Sequence, residues 1–298
     1  MIRSSAVAAP CVGGVEAGVA KFVCAVGTGP HDIRAETCFP TTSPDETVGR
    51  AVDFFRAHGV TAVGIASFGP LDLDASSPTA GFITDTPKRG WSRVDIAGAF
   101  RQALAVRVVL DTDVNGAALA ESRWGAGVAR DPLVYFTIGT GIGGGAIVGG
   151  RRLHGLIHPE MGHMRIPRDP ADAFAGACPF HGDCLEGLAA GPAIRARRGL
   201  PGEALAVDDP VWALEARYLA LGLVNVVTVL SPRRIIVGGG VMRQPSLLGR
   251  VREQVQAILA GYVRAPAVVD TIEEFIVPPA LGERAGVLGA LALAQERG

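Results

Sequence analysis

The 298-residue chain is 48% hydrophobic and 19% charged, with 28 basic against 29 acidic residues and a formal net charge of −1. That length and apolar fraction suffice for two lobes with real cores, and the near-neutral balance, with no basic face, argues against nucleic acid as a partner. The five cysteines are an odd number, and Cys11, Cys24 and Cys38 lie in or beside apolar runs, where they read as reduced thiols; a disulfide framework is not expected and a cytoplasmic location is.

The first ten residues, MIRSSAVAAP, are too short and too weakly apolar for a signal peptide. Cys11 to Val26 (CVGGVEAGVAKFVCAV) reads as two strands around a Gly-rich turn, a hairpin. Ser43 to His58 reads as a helix, with Asp45 and Glu46 in the first turn and apolar residues at 48, 51, 52, 54 and 55. Val60 to Ala66 is a buried strand leaving through Ser67-Phe68-Gly69-Pro70, either a plain turn or the wall of a pocket. Thr84 to Trp91 (TDTPKRGW) is a polar loop with one exposed-looking Trp, either a lid over a ligand or a packing anchor.

Val106 to Leu110 is a further strand, running into Asp111-Thr112-Asp113-Val114-Asn115 and a helix from Gly116 to Trp124. A carboxylate at the carboxyl end of a buried strand, just before a helix, is where open α/β sheets place ligand chemistry. Asp113 taken alone fits a helix N-cap; the loops that follow favour a general base.

Leu133 to Val148 (LVYFTIGTGIGGGAIV) repeats the hairpin plan about 120 residues after the first, which suggests two similar lobes. A tight hairpin needs one or two glycines, yet five lie between 139 and 145 with Thr140 among them. Amide donors and a free hydroxyl in such a turn suit a phosphate. Tyr218 to Leu230 is the most apolar stretch, but Asn225 and Thr228 interrupt it and it falls short of the roughly 18 residues a spanning helix needs, so no membrane segment is expected. Long helices are predicted from Pro210 to Leu230 and from Ser246 to Tyr262, a strand from Arg234 to Val237 closing on Gly238-Gly239-Gly240, and a final helix from Leu281 that packs back on one lobe.

Cys178, His181 and Cys184 stand at C-x2-H-x2-C spacing, with His163 fifteen residues upstream. Two thiolates and two imidazoles are a tetrahedral zinc set, and four protein ligands fill the coordination sphere, so such a zinc is structural and does not activate water. Three candidate ligands within seven residues, among Gly and Pro, make chance placement a poor account. The metal pins an irregular loop, His158 to Glu186, that also carries the carboxylates of Glu160 and Glu186.

Together TIGTGIGGG, TDVNGAALAE, HPEMGH, CPFHGDCLEG and IIVGGGVM resemble the ROK sugar kinases, and among them the zinc-containing bacterial fructokinase branch. The likeness runs from Gly13 to Ala294. It implies the α/β, two-lobe actin-like ATPase fold of the hexokinases, with a cleft between an N-terminal lobe (1–112, joined by a helix over 283–298) and a C-terminal lobe (113–282, carrying the zinc loop 158–186). It implies transfer of phosphate from ATP with Mg2+ to a hexose, fructose to fructose 6-phosphate first, in a homodimer. By this resemblance Asp113 is the catalytic base. Gly69, Thr112, Asn115, Glu160, His163 and Glu186 hold the sugar, with His163 doubling as a zinc ligand beside Cys178, His181 and Cys184. Glu16, Gly18, Lys21, Gly139, Thr140, Gly141, Gly191, Pro192 and Gly238 to Gly240 serve the nucleotide.

The family's first phosphate turn reads G-G-T-K, whereas this chain has Gly18-Val19-Ala20-Lys21. Val19 brings a β-branched side chain to a position where the backbone can require positive φ. Ala20 removes a hydroxyl expected at a phosphate oxygen; losing one such charge-assisted bond costs about 1.5–3 kcal/mol, roughly tenfold to over a hundredfold in rate. Besides the active kinase, the sequence therefore supports a sugar-binding sensor or weakened kinase. A mannose or glucose kinase is a further option. A ROK transcription regulator is disfavoured, because the first hairpin begins by residue 12 and leaves no room for a helix-turn-helix ahead of it.

Overall fold

The computed structural model describes residues 11–296. The segment read for a leader, residues 1–10, lies outside them, as do the last two residues of the expected terminal helix. The chain divides into two compact units, one reaching to Ala120 and resuming at Gly286, the other formed by Glu121–Ala285.

In the first unit, strands β1 (Val12–Ala17), β2 (Lys21–Gly29) and β3 (Asp32–Pro40) form an antiparallel meander, and β4 (Ala62–Ser67) and β7 (Arg107–Thr112) join parallel to β1, giving the order β3-β2-β1-β4-β7. Helix α1 (Pro44–His58) connects β3 to β4; β5 (Phe82–Ile83) and β6 (Val94–Asp95) form a small ribbon before α2 (Ile96–Leu104); α3 (Asp113–Trp124) follows β7 and contains the boundary between units. Helix α1 is well specified: Ser43 accepts the Glu46 N–H, Asp45 and Glu46 favour the positive end, and Gly59 closes it at φ 60°.

The second unit repeats the plan. Strands β8 (Leu133–Ile138), β9 (Ile142–Val148) and β10 (Arg151–Arg152) are antiparallel, and β11 (Arg234–Gly238) and β12 (Ile276–Val277) add parallel to β8, in the order β10-β9-β8-β11-β12. Its helices are α4 (Leu185–Ala189), α5 (Gly191–Arg198), α6 (Val211–Leu230), α7 (Leu247–Leu259), α8 (Pro266–Val269) and α9 (Ile272–Phe275). Helix α6 starts earlier than the apolar stretch read from the sequence and is long and apolar enough, by length and composition, to cross a membrane; half of that window is buried, with Trp212, Tyr218, Leu219 and Leu223 in the core of its own unit.

Helix α10 (Ala285–Gln295) returns to the first sheet. Side chains alternate across a strand, so Gly13 and Gly14 face opposite ways. A Cβ on Gly13 would meet the Phe55 ring of α1 at 2.7 Å, and one on Gly14 the backbone of Leu291 at 2.8 Å. The glycines of β1 thus let α1 press on one face and α10 on the other.

Candidate functional site

In the first unit the sequence-predicted residues cluster around the ends of β1, β4 and β7. Asp111 and Asn115 are both fully buried, and Asp111 Oδ1 accepts Asn115 Nδ2 at 2.9 Å. Thr112 Oγ1 accepts the Asn115 N–H at 3.2 Å and so caps α3. This leaves Asp113, the first residue of α3, half-buried with Oδ1 on the Val114 N–H at 2.9 Å. Burial pushes its carboxyl from the ordinary 3.8 up to about 6, against the pull of that amide. A carboxylate of that basicity is matched to accepting a proton near neutral pH.

The turn Gly18–Lys21 is closed by Gly18 N–H to Lys21 O at 3.0 Å, and Thr41 braces it from outside through Oγ1 to Gly18 O at 2.7 Å and N–H to Ala20 O at 3.0 Å. Val19 is exposed and is not among the residues with left-handed backbone, so the strain expected of it does not arise. The missing hydroxyl of Ala20 stands. Glu16 is half-buried on β1, where its carboxylate packs against Gly286 at the start of α10. Gly69 is half-buried just past β4.

Trp91 is not exposed. It is fully buried, 5.5 Å from the ring centres of both Phe22 and Phe68, and its Nε1 donates to Thr42 O at 2.9 Å. The polar residues around it hid an anchor whose one polar atom is satisfied by backbone.

In the second unit Gly139, Thr140, Gly191, Pro192 and Gly240 line one cavity of about 930 Å3, together with Ile194, Arg195, Glu203, Trp212, Val241, Arg243 and Gln244. The volume suits a nucleotide-sized ligand. Gly191 N–H donates to Gly139 O at 2.8 Å, which joins the β8–β9 turn to the start of α5. Gly239 sits at φ 98°, and a Cβ there would overlap the Ile138 carbonyl, so the triple glycine is required at its middle residue.

The donor atoms of His163, Cys178, His181 and Cys184 all lie within 4.8 Å of one another. His163 Nδ1 is 3.7 Å from Cys178 Sγ and 3.5 Å from Cys184 Sγ, and His181 Nδ1 is 3.6 Å from Cys178 Sγ. A tetrahedron with Zn–N and Zn–S bonds of about 2.0–2.3 Å separates its corners by about 3.3–3.8 Å. The donor set and spacing therefore fit zinc. Burial raises the Cys184 thiol to about 11, an effect that a coordinated cation reverses by deprotonating the sulfur. With Nδ1 toward the sulfurs, His163 keeps Nε2 for another partner.

Glu160, with a side chain 39% exposed, has its Oε1 3.5 Å from Nδ1 of the buried His158. The sequence reading passed over His158, although the HPE spacing was the signal for it. Glu186 Oε2 accepts the Ile142 N–H at 2.9 Å, a bond no motif announces.

The ROK family profile matches residues 12–297. The chain belongs to the ROK family. A putative fructokinase from Bacillus subtilis (strain 168) is 46% identical over 96% of this chain and 95% of its own length. The fructokinase of Zymomonas mobilis is 45% identical over 95% of each. Among solved structures, a ROK hexokinase from Thermus thermophilus has a TM-score of 0.78 at 27% identity, covering 95% of this chain and 97% of that one. A ROK family glucokinase from Streptomyces griseus, in complex with glucose and AMPPNP, has a TM-score of 0.73 at 25% identity, covering 96% and 99%. The two α/β units of this ROK protein are those of the two-lobe actin-like ATPase fold.

Proposed function

We propose that this ROK protein is an ATP-dependent fructokinase of the cytoplasm, forming fructose 6-phosphate and ADP. The observation that carries the reading is sequence identity of 42–46% over at least 95% of the chain to proteins named as fructokinases or putative fructokinase. The geometry supports it: Asp113 has the basicity to take the proton of the sugar hydroxyl as that oxygen attacks the γ-phosphorus, and Thr140 with its neighbouring amides lines a nucleotide-sized cavity. Base catalysis of this kind contributes about 10²–10⁴-fold, and positioning and charge balance supply most of the rest.

Gly69, Thr112, Asn115, Glu160 and Glu186 orient the sugar. His163 donates from Nε2, its tautomer fixed when Nδ1 is spent on zinc. Zinc, bound by His163, Cys178, His181 and Cys184, supplies rigidity to the loop rather than a reacting centre. Glu16 on β1 and the turn carrying Gly18 and Lys21 would hold the Mg2+ and phosphates of ATP in the first unit, the cation supplying charge balance on the phosphates. Helix α6 serves as a core helix, and the working form is a homodimer.

Ala20 favours a second reading, a weakened kinase that binds sugar but turns over slowly, because the turn lacks its hydroxyl. A coupled assay of ADP release with fructose, mannose and glucose separates the readings. Rapid turnover led by fructose supports the first, tight fructose binding with slow release supports the second, and no sugar-dependent ADP overturns the proposal.

A further inference from the structure

Glu186 carries a bond that a sugar-gripping group has no need of. Its Oε2 takes the N–H of Ile142 at 2.9 Å. Ile142 opens β9 directly after Gly139-Thr140-Gly141, and a Cβ on Gly141 would come within 2.6 Å of the same oxygen. The other brace on this turn, Gly191 N–H to Gly139 O at 2.8 Å, comes from the start of α5. Both braces belong to the stretch that begins at Cys184, whose Sγ accepts the Gly187 N–H at 3.5 Å as the cap of α4. One short segment therefore has the metal cluster at its head and both holds on the β8–β9 turn further along.

An anionic carboxylate beside a phosphate-binding turn is unfavourable unless its charge is engaged. Here Oε2 is engaged by a backbone dipole. Taking up Ile142 N–H fixes the peptide planes that precede it, and these planes carry the amides of Thr140 and Gly141, which on the kinase reading face the phosphate.

We infer that Glu186 is a positioning residue for the phosphate turn, so that the metal cluster sets nucleotide affinity as well as sugar affinity, with Glu186 as the link. The inference rests on the kinase reading for naming the nucleotide as the ligand of this turn.

Calorimetric titration of the zinc-loaded protein with ADP, in the absence of sugar, tests it. Glu186→Ala is expected to weaken ADP binding about tenfold, the loss of one charged hydrogen bond. Glu186→Gln is expected to keep ADP affinity within about threefold, since an amide oxygen still accepts the Ile142 N–H, while fructose affinity falls. Gly141→Ala is expected to weaken ADP binding in the wild-type background and to do so less in the Glu186→Ala background, where the clash is gone. Removing zinc from the wild type with a chelator is expected to weaken ADP binding as Glu186→Ala does. Unchanged ADP affinity in folded Glu186→Ala, or strict additivity of the two substitutions, overturns the inference. If Glu186→Ala does not fold, Gly141→Ala alone gives the reading: its Cβ displaces the carboxylate from the Ile142 N–H, so ADP binding is expected to weaken, and unchanged ADP affinity in the folded variant overturns the inference. A wild-type protein that binds no ADP overturns the kinase reading instead, so the two failures are distinct.

Discussion

Asp113→Asn separates a catalytic carboxylate from a structural one, because the two roles predict opposite changes in stability. Burial raises the Asp113 carboxyl from 3.8 to about 6. The folded protein therefore holds this proton more tightly than the unfolded chain does. Ionising the group costs nothing differential below pH 3.8 and the full difference above about pH 6. That difference, about two pKa units, corresponds to about 3 kcal/mol. Asparagine keeps the shape and the acceptor for Val114 N–H at 2.9 Å, but carries no charge. The variant is thus expected to be more stable than wild type by about 3 kcal/mol at pH 8, and by about half that at pH 5. At roughly 2–4 °C per kcal/mol this is a readily measured rise in melting temperature at pH 8. In the coupled ADP-release assay the same variant should lose about 10²–10⁴ in kcat. Wild-type kcat/KM should fall as pH drops through about 6, where the base becomes protonated. A variant that melts below wild type at pH 8, or retains kcat within tenfold, would show Asp113 to be only the first residue of a helix.

Ala20→Thr restores the turn hydroxyl, and kcat is expected to rise by about tenfold with fructose KM unchanged; an unaltered kcat would place this turn outside the phosphate's reach. Cys184→Ser should lower bound zinc from about one per chain toward zero by atomic absorption and lower the melting temperature, since a bound structural zinc contributes directly to folding; a variant as stable as wild type would remove the metal from the fold. Glu215 is 1% exposed, neither of its carboxyl oxygens has a hydrogen-bond partner among the described residues, and burial raises its pKa well above the usual carboxylate range. Glu215→Met should therefore stabilise the protein by about 1–3 kcal/mol in urea unfolding, and a loss of stability would mean that attraction to Arg197 outweighs burial.

The motifs that could be read from the sequence are those whose chemistry is local. Cys178, His181 and Cys184 lie within seven residues, and the C-x2-H-x2-C spacing alone marks three of the four donors that the structure draws together, His163 being the fourth. The paired hairpins were legible because each combines an apolar run with a dense glycine turn, and they do lead two sheets of the same strand order. Strand β3 was missed because it alternates half-buried with exposed positions, and Arg34, Ala35 and Glu36 carry little strand preference. Trp91 was misjudged because its burial depends on Phe22 and Phe68, distant in sequence. The Glu186–Ile142 bond spans 44 residues and ends on a backbone amide, so no residue type at position 142 announces it.

A zinc held by His163, Cys178, His181 and Cys184, as proposed, would stabilise a loop that a hydrophobic core does not. Between β10 and α4 the chain has one short 3-10 turn, Met161–His163, and two isolated bridges, Arg165 with Cys184 and Cys178 with Gly182, and most of residues 167–183 are exposed or half-buried. Fixing each such residue costs about 1–2 kcal/mol of backbone entropy, and little apolar surface is buried in return. Charged contacts offset part of this. Asp183 pairs with Arg165 and Arg168, and Asp172 bonds Arg197 and Tyr218, which ties the loop to α5 and α6. The exposed pairs contribute at most about 1 kcal/mol each. A bound structural zinc is worth about 10–16 kcal/mol in small domains, the scale needed to hold such a segment still. Because the proposed clamp would act on the segment that also braces the β8–β9 turn, chelation should first appear as weakened ligand binding and local exchange of amides between 158 and 191. The β8–β11 core is buried without help from the loop's charges, and it should remain protected under the same conditions.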